Sequence, residues 1–323
     1  MGTVIENNSV TGQANLEVFS ATLQNLAEND RDIIVVTSDS RGSGKLVPFG
    51  QKYPKQLIEI GIAEQNLVGV SAGIASAGKK VFAVSPACFL TARSFEQIKN
   101  DVAYSDNPVK LIGISAGVSY GALGSTHHSL HDFAALRPVN NIMVVAPADN
   151  YETEHAIRQA AALEEPVYIR FGKKAMADLP RLNDEGFEFG KGRLIKEGDD
   201  LTIIATGEAV LPALKAAEKL AKENNIVAAV ISMHTIKPLD TALISKLAKN
   251  GKPVITAEEH SVYGGLGEAC ASFLLENGFH NRFKIIGIPD EYTVTGSQTE
   301  IMNHYGISES GIAKEALRLS AKG

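Results

Sequence analysis

Leu57-Ile58-Glu59-Ile60-Gly61-Ile62-Ala63-Glu64-Gln65-Asn66 reads as a short, largely apolar strand closed by a glycine and followed at once by the start of a helix. Strands that pass quickly into helices are the unit from which parallel sheets are built. Ligands of open α/β sheets gather beyond the carboxyl ends of such strands. Glu64 stands at that place, the only acidic side chain between Gly61 and Gly78. These residues alone leave two roles open for it. It is either a helix-start carboxylate facing the positive end of the dipole, or a carboxyl among apolar neighbours that holds a proton and passes it on. The helix beyond carries Gly69 and Gly73, with Ala72, Ala75 and Ala77 close by. Small residues there let another backbone approach and suit a subunit seam.

The same alternation extends in both directions. Leu16, Phe19, Leu23 and Leu26 recur at helical spacing before a strand at 32–36. Strands are expected at 81–84, 109–114, 143–146 and 166–171, with helices at 95–104 and 152–163. From Gly172 to Asp200 glycines and Pro180 loosen the pattern, which reads as a linker with a short hairpin. A second alternating unit follows, with strands at 201–205, 227–231, 254–257 and 284–288 and helices at 209–222, 241–248, 266–276 and 310–320. The fold class is therefore α/β, as two α/β domains, 1–185 and 186–323, each a mostly parallel sheet covered by helices.

The chain has 323 residues, 44% hydrophobic and 21% charged, with a net charge of −6. That balance and the lack of a basic run exclude a nucleic-acid binder. No apolar run is long enough to span a membrane. Cys88 and Cys270 stand alone in apolar surroundings, which fits a reducing cytoplasm and neither a zinc site nor a disulfide framework.

Several motifs fail on inspection. Gly42-Ser43-Gly44-Lys45 resembles the end of a phosphate loop, but Leu46 replaces the hydroxyl residue and Asp39 the first glycine. Gly265-Leu266-Gly267 lacks the third glycine of a dinucleotide fingerprint. His127, His128 and His131 have only Asp132 as a nearby carboxylate, in a Gly- and Ser-rich setting that does not suit a metal. Gly198-Asp199-Asp200 with Asn224-Asn225 approximates a metal–diphosphate motif. It precedes a strand, whereas a phosphate-binding turn should follow one. No diphosphate or metal site is expected in this chain.

Four stretches nevertheless follow one another with telling spacing: Ile60–Asn66; Phe89–Gln97; Gly121-Ala122-Leu123-Gly124-Ser125-Thr126-His127-His128; and Pro166–Arg170. In that order they resemble the pyrimidine-binding domain of transketolase and 1-deoxyxylulose-5-phosphate synthase. Val254–Gly267, with Glu258-Glu259-His260, resembles the C-terminal domain of the same superfamily. The likeness covers nearly the whole chain and omits the family's N-terminal half. It implies the C-terminal subunit of a split transketolase, a glycolaldehyde transferase moving a two-carbon ketol unit from a ketose to an aldose.

By that resemblance thiamine diphosphate is the cofactor, with Mg2+ or Ca2+ held mainly by an N-terminal partner subunit in an α2β2 assembly. The resemblance implies that Glu64 meets a pyrimidine ring nitrogen, Phe89 stacks on the ring, His127 faces the sugar hydroxyls and Arg170 contacts a sugar phosphate. Leu123 stands where transketolases carry an acidic residue that reads substrate hydroxyls. Ser115 and Ala116 fall where other phosphate contacts are usual. A non-standard sugar substrate, branched, deoxy or otherwise modified, is the expectation that follows. The rival readings are the beta subunit of a 2-oxoacid dehydrogenase, a 1-deoxyxylulose-5-phosphate synthase fragment and a non-catalytic scaffold. The Ser125-Thr126-His127 arrangement and the retention of Glu64, Phe89 and His127 together favour transketolase.

Overall fold

The computed structural model describes residues 11–182 and 186–321. Its strands in chain order are β1 (Thr11–Ala14), β2 (Ile33–Thr37), β3 (Leu57–Glu59), β4 (Lys80–Pro86), β5 (Lys110–Ile114), β6 (Met143–Val145), β7 (Val167–Arg170), β8 (Ala175–Ala177), β9 (Arg193–Lys196), β10 (Leu201–Ala205), β11 (Ala228–Ser232), β12 (Thr235–Lys237), β13 (Val254–Ser261) and β14 (Phe283–Ile288). A seven-stranded sheet runs β12-β6-β7-β5-β4-β2-β3 and a five-stranded sheet runs β14-β13-β10-β11-β9. Every pairing within them is parallel except β12 on β6 and β9 on β11, both at sheet edges. Helices cover both sheets, so the central strands are apolar on both faces, as parallel strands must be.

The side-chain alternation of the strands divides the core. Ile33, Val35, Phe82, Val84, Ile112 and Ile169 face the helix that buries Leu16, Phe19 and Leu23. Val36, Val81, Ala83, Leu111 and Tyr168 face the helix Glu64–Ser76 through Leu67, Val68 and Ala72. Each large apolar side chain so buried contributes about 1.5–3 kcal/mol. Among the described residues no helix is long and apolar enough to cross a membrane.

Two parts of the expected organisation change. The stretch Gly172–Asp200 does not form its own hairpin. β8 pairs back with β1 near the start of the chain, β9 extends the five-stranded sheet, and Phe187 enters the core of the first sheet. The expected boundary near residue 185 falls at 183–185, outside the described residues. The second change is β12. After β11 the chain crosses back and adds Thr235–Lys237 to the seven-stranded sheet, pairing Thr235 with Val145.

The two sheets meet at a buried ionic knot. Arg170, at the carboxyl end of β7, donates to Asp132 Oδ1 at 2.8 Å and to the Glu259 carbonyl of β13 at 2.8 Å. The Tyr168 hydroxyl donates to Asp132 Oδ2 at 2.6 Å. The Arg170 guanidinium lies 3.9 Å from the centre of the Phe133 ring, and His260 stacks on that ring at 4.8 Å. Burial raises the Asp132 carboxyl, but the charge of Arg170 and the proximity of His260 outweigh it and hold Asp132 below the ordinary carboxylate range. Removing one partner of a buried pair leaves an uncompensated charge. Asp132→Ala is therefore expected to lower unfolding stability by about 3–5 kcal/mol. Urea denaturation measures it, and a loss below about 1 kcal/mol would show that the knot is not what joins the sheets.

Candidate active site

Four carboxyl ends of parallel strands converge on one rim of the seven-stranded sheet. β3 is followed by Gly61, whose φ of +77° turns the chain, and then by Glu64 at the first turn of its helix. β4 runs into the helix Ala87–Arg93, which carries Phe89. β5 is followed directly by Ser115, a non-glycine residue at φ +56°. Such a conformation costs on the order of 1–3 kcal/mol and tends to persist at functional sites. It opens the loop that carries Tyr120, Leu123 and His127. β7 ends at Arg170, three residues before Lys173.

Glu64 is 4% exposed and accepts from Arg93 Nη1 through both carboxylate oxygens, at 3.1 and 3.0 Å. The guanidinium of Arg93 lies 4.4 Å from the centre of the Phe89 ring. Phe89 meets His127 edge to face at 5.4 Å, and His127 meets Tyr120 in the same way at 5.4 Å. The Lys173 ammonium lies 3.8 Å from the centre of the Tyr120 ring. Partial burial lowers the Lys173 pKa, and no carboxylate pairs with it among the described residues. Thr126 Oγ1 takes Nδ1 of His127 at 2.9 Å, so Nε2 is the nitrogen left to face a ligand.

Of the residues singled out from sequence, Glu64, Phe89 and His127 are linked through Arg93, and Leu123 lies in the same loop as His127, 55% exposed. Arg170 does not join them. It is 5% exposed and its donors are taken by Asp132, the Ser129 carbonyl and the Glu259 carbonyl. The expectation that it contacts a substrate phosphate gains no support from these surroundings. Its Nη1 and one donor of Nη2 are engaged by acceptors of the protein itself. Lys173 is the cation that the same strand end presents to the rim.

Arg93 and Tyr120 were also missed. Arg93 lies four residues after Phe89, one helical turn on, a spacing that puts both on one face. Tyr120 had no sequence signal beyond its place in the loop. The histidines diverge: His127 faces the rim, His128 is buried, and His131 is exposed before the helix Asp132–Leu136. Among the described residues no three His, Cys, Asp or Glu side chains converge on a cation position.

Beneath the rim lies the Glu258-Glu259-His260 run. Glu258 accepts from the backbone N–H groups of Leu266 and Gly267 at a helix start, and burial pushes its carboxyl up to about 7. Glu259 Oε1 accepts from Val118 N at 2.7 Å and from Gln298 Nε2 at 2.9 Å. The same Gln298 nitrogen donates to Glu208 Oε2 at 2.6 Å. Burial, with the neighbouring charge of Glu259, pushes Glu208 up to about 8.

Two family models match the chain: "Transketolase, pyrimidine binding domain" over residues 12–177 and "Transketolase, C-terminal domain" over residues 190–312. A protein of Phocaeicola vulgatus, named as one of the subunits of apulose-4-phosphate transketolase, is 48% identical over 304 residues, 94% of this chain and 96% of that one. A Clostridium protein, named as one of the subunits of 6-deoxy-6-sulfo-D-fructose transketolase, is 35% identical over 93% of this chain and 92% of its own length. A solved structure described as a split gene transketolase, inactive beta4 tetramer, superposes with a TM-score of 0.84 at 34% identity, covering 96% of this chain and 99% of that one.

The Glu208–Gln298–Glu259 group carries a pH signature. The folded pKa of Glu208, about 8, lies above its ordinary 4.5, so the folded state keeps a proton that the unfolded chain releases. Stability therefore falls as pH rises from about 4.5 towards about 8 and levels off above. Glu208→Gln keeps an acceptor for Gln298 without a charge. Its melting temperature is expected to match the native protein at pH 5 and to exceed it at pH 9; equal values at both pH values would contradict the assignment.

Proposed function

Since this chain belongs to the transketolase family, we propose that it is the pyrimidine-binding half of a transketolase divided over two chains. It transfers a two-carbon ketol unit from a phosphorylated ketose to an aldose with thiamine diphosphate. When bound, thiamine diphosphate supplies the electron sink that lets the carbon–carbon bond beside the ketose carbonyl break and re-form.

The observation that carries this reading is the pairing of Glu64 with Phe89. A buried carboxylate and a half-buried aromatic face both engage one flat, N–H-bearing group, the Arg93 guanidinium. An aminopyrimidine is also flat and also carries N–H donors, so the donor set fits it. In the proposed role Glu64 shares a proton with a ring nitrogen. Phe89 offers its face, worth about 0.5–1.5 kcal/mol beyond burial. Arg93 yields both surfaces when the heterocycle enters. His127 presents Nε2 to the sugar hydroxyls and can donate to an oxygen that gains charge. Lys173 meets the sugar phosphate as a point charge on a flexible stem.

The donor is read as a non-standard sugar. Leu123 puts an exposed apolar side chain where an acid reads hydroxyls in transketolases, and the relatives' names specify apulose-4-phosphate and 6-deoxy-6-sulfo-D-fructose. The diphosphate and its Mg2+ or Ca2+ belong mainly to an N-terminal partner subunit, in an α2β2 assembly of the closed symmetry common among oligomers. Support for that division is the inactive beta4 state named for the split-gene structure. The buried, unpaired thiols Cys88 and Cys270 suit a cytoplasmic setting.

In the two-subunit enzyme Glu64→Gln is expected to cut turnover by about 10²–10⁴-fold with circular dichroism unchanged. Near-native turnover would remove Glu64 from the chemistry. Lys173→Met is expected to raise KM for the phosphorylated donor about tenfold, the loss of one charge-assisted hydrogen bond, with little change in kcat. An unchanged KM would put the phosphate elsewhere.

A further inference from the structure

The loop that carries His127 is fastened to the C-terminal domain, although among the described residues no side chain of that domain pairs with Glu64, Phe89 or His127. Three contacts hold it. Val118 N donates to Glu259 Oε1 at 2.7 Å, and Gly117 at φ +60° leaves no room for a Cβ, which would lie 2.3 Å from Glu259 Cδ. At Gly121, φ +54°, a Cβ would lie 2.7 Å from the Gly296 carbonyl oxygen. The third contact is Thr293. Its backbone N–H donates to Ser125 Oγ at 2.9 Å, its hydroxyl meets Ser125 Oγ at 2.9 Å, and it meets His128 Nδ1 at 2.6 Å. His128 Nε2 then reaches the Gly121 carbonyl at 3.0 Å.

Donor counting fixes the direction of this chain. The Gly121 carbonyl only accepts, so Nε2 of His128 carries the proton. In the neutral ring Nδ1 is then a lone pair, and the Thr293 hydroxyl donates to it. The Thr293 oxygen in turn accepts from the Ser125 hydroxyl, whose oxygen accepts the Thr293 N–H. Thr293 is 7% exposed and His128 2%, and burial holds the His128 pKa below its ordinary value, in keeping with the neutral ring. The loop is thus pinned at Ser125 and at His128, on either side of Thr126 and His127.

We propose that Thr293 is a positioning residue for ketol transfer: from the C-terminal domain it locks the tautomer and place of His128 and so aims the adjacent His127 at the substrate. It deepens the function proposed above and rests on His127 facing the sugar. A misplacement near 1 Å at a reacting group can cost about a hundredfold in rate. A lost hydroxyl in a loop still held at Val118 and Gly121 should cost less.

The test is Thr293→Val in the two-subunit enzyme, with Thr293→Ser beside it. The valine variant is expected to lose about tenfold in kcat with the thiamine diphosphate Kd unchanged, and the serine variant to regain most of the rate. A kcat within twofold of native, or a Kd that weakens in step with kcat, would overturn the proposal. Histidine 15N NMR on the full chain gives a readout independent of turnover. The native His128 should show a neutral ring protonated at Nε2, and Thr293→Val should move its Nδ1 signal and shift His127. Unmoved His128 and His127 signals would also overturn it. Should the valine variant fail to fold, Ser125→Ala breaks the same chain from the other domain. About a threefold loss is expected there, and an unchanged rate counts against the proposal. If the native two-subunit enzyme shows no ketol transfer, the function reading has failed, while the NMR result still decides whether Thr293 locks the loop.

Discussion

Arg170 is the constraint on which the rest of the molecule depends. A full charge at 5% exposure is tolerated because Asp132 stands in front of its guanidinium, the backbone carbonyls of Ser129 and Glu259 lie beside it and the face of Phe133 lies against it. Three of those partners come from the loop and helix after His127, and one from β13 of the other sheet. The charge therefore fixes how the sheets sit on each other. The floor of the site, from Ser115 to Asp132, lies between them.

Much of the architecture was legible in the sequence, for a physical reason. Buried parallel strands must be apolar on both faces, and their crossover helices must carry a stripe. The runs at 33–36, 81–84, 201–205 and 254–257 and the stripe at Leu16, Phe19 and Leu23 leave little choice. Glu64, Phe89 and His127 were legible because each follows the carboxyl end of a strand in a recognisable local context. The structural role of Arg170 was not legible because a sequence shows a charge but not what surrounds it. Its buried partners, Asp132 and the Glu259 carbonyl, are 38 and 89 residues away. Lys173 was passed over because it lies beyond the end of the strand, where no periodicity speaks. β12 was invisible because three residues make no pattern and its partner strand belongs to the other domain.

On the proposed reading the rim is one half of a cofactor site divided between chains. The apolar and aromatic half of the task needs Glu64, Phe89 and the loop after β5, all of which are positioned by this chain's own sheets. The charged tail of thiamine diphosphate falls, on the proposed reading, to the partner chain. On the proposed reading the division follows the chemistry of the cofactor itself, a nearly neutral heterocycle at one end and a charged tail at the other.

β12 has a consequence for the history and engineering of such chains. The last strand of the first sheet is supplied from beyond the start of the second, so the two domains are interleaved and are not beads on a string. A crossover of genes near the nominal junction would pair β6 with a capping strand from the other parent, whose register and side chains did not arise with it. Shuffled chimeras of this family should therefore tolerate exchange of whole chains better than exchange of halves.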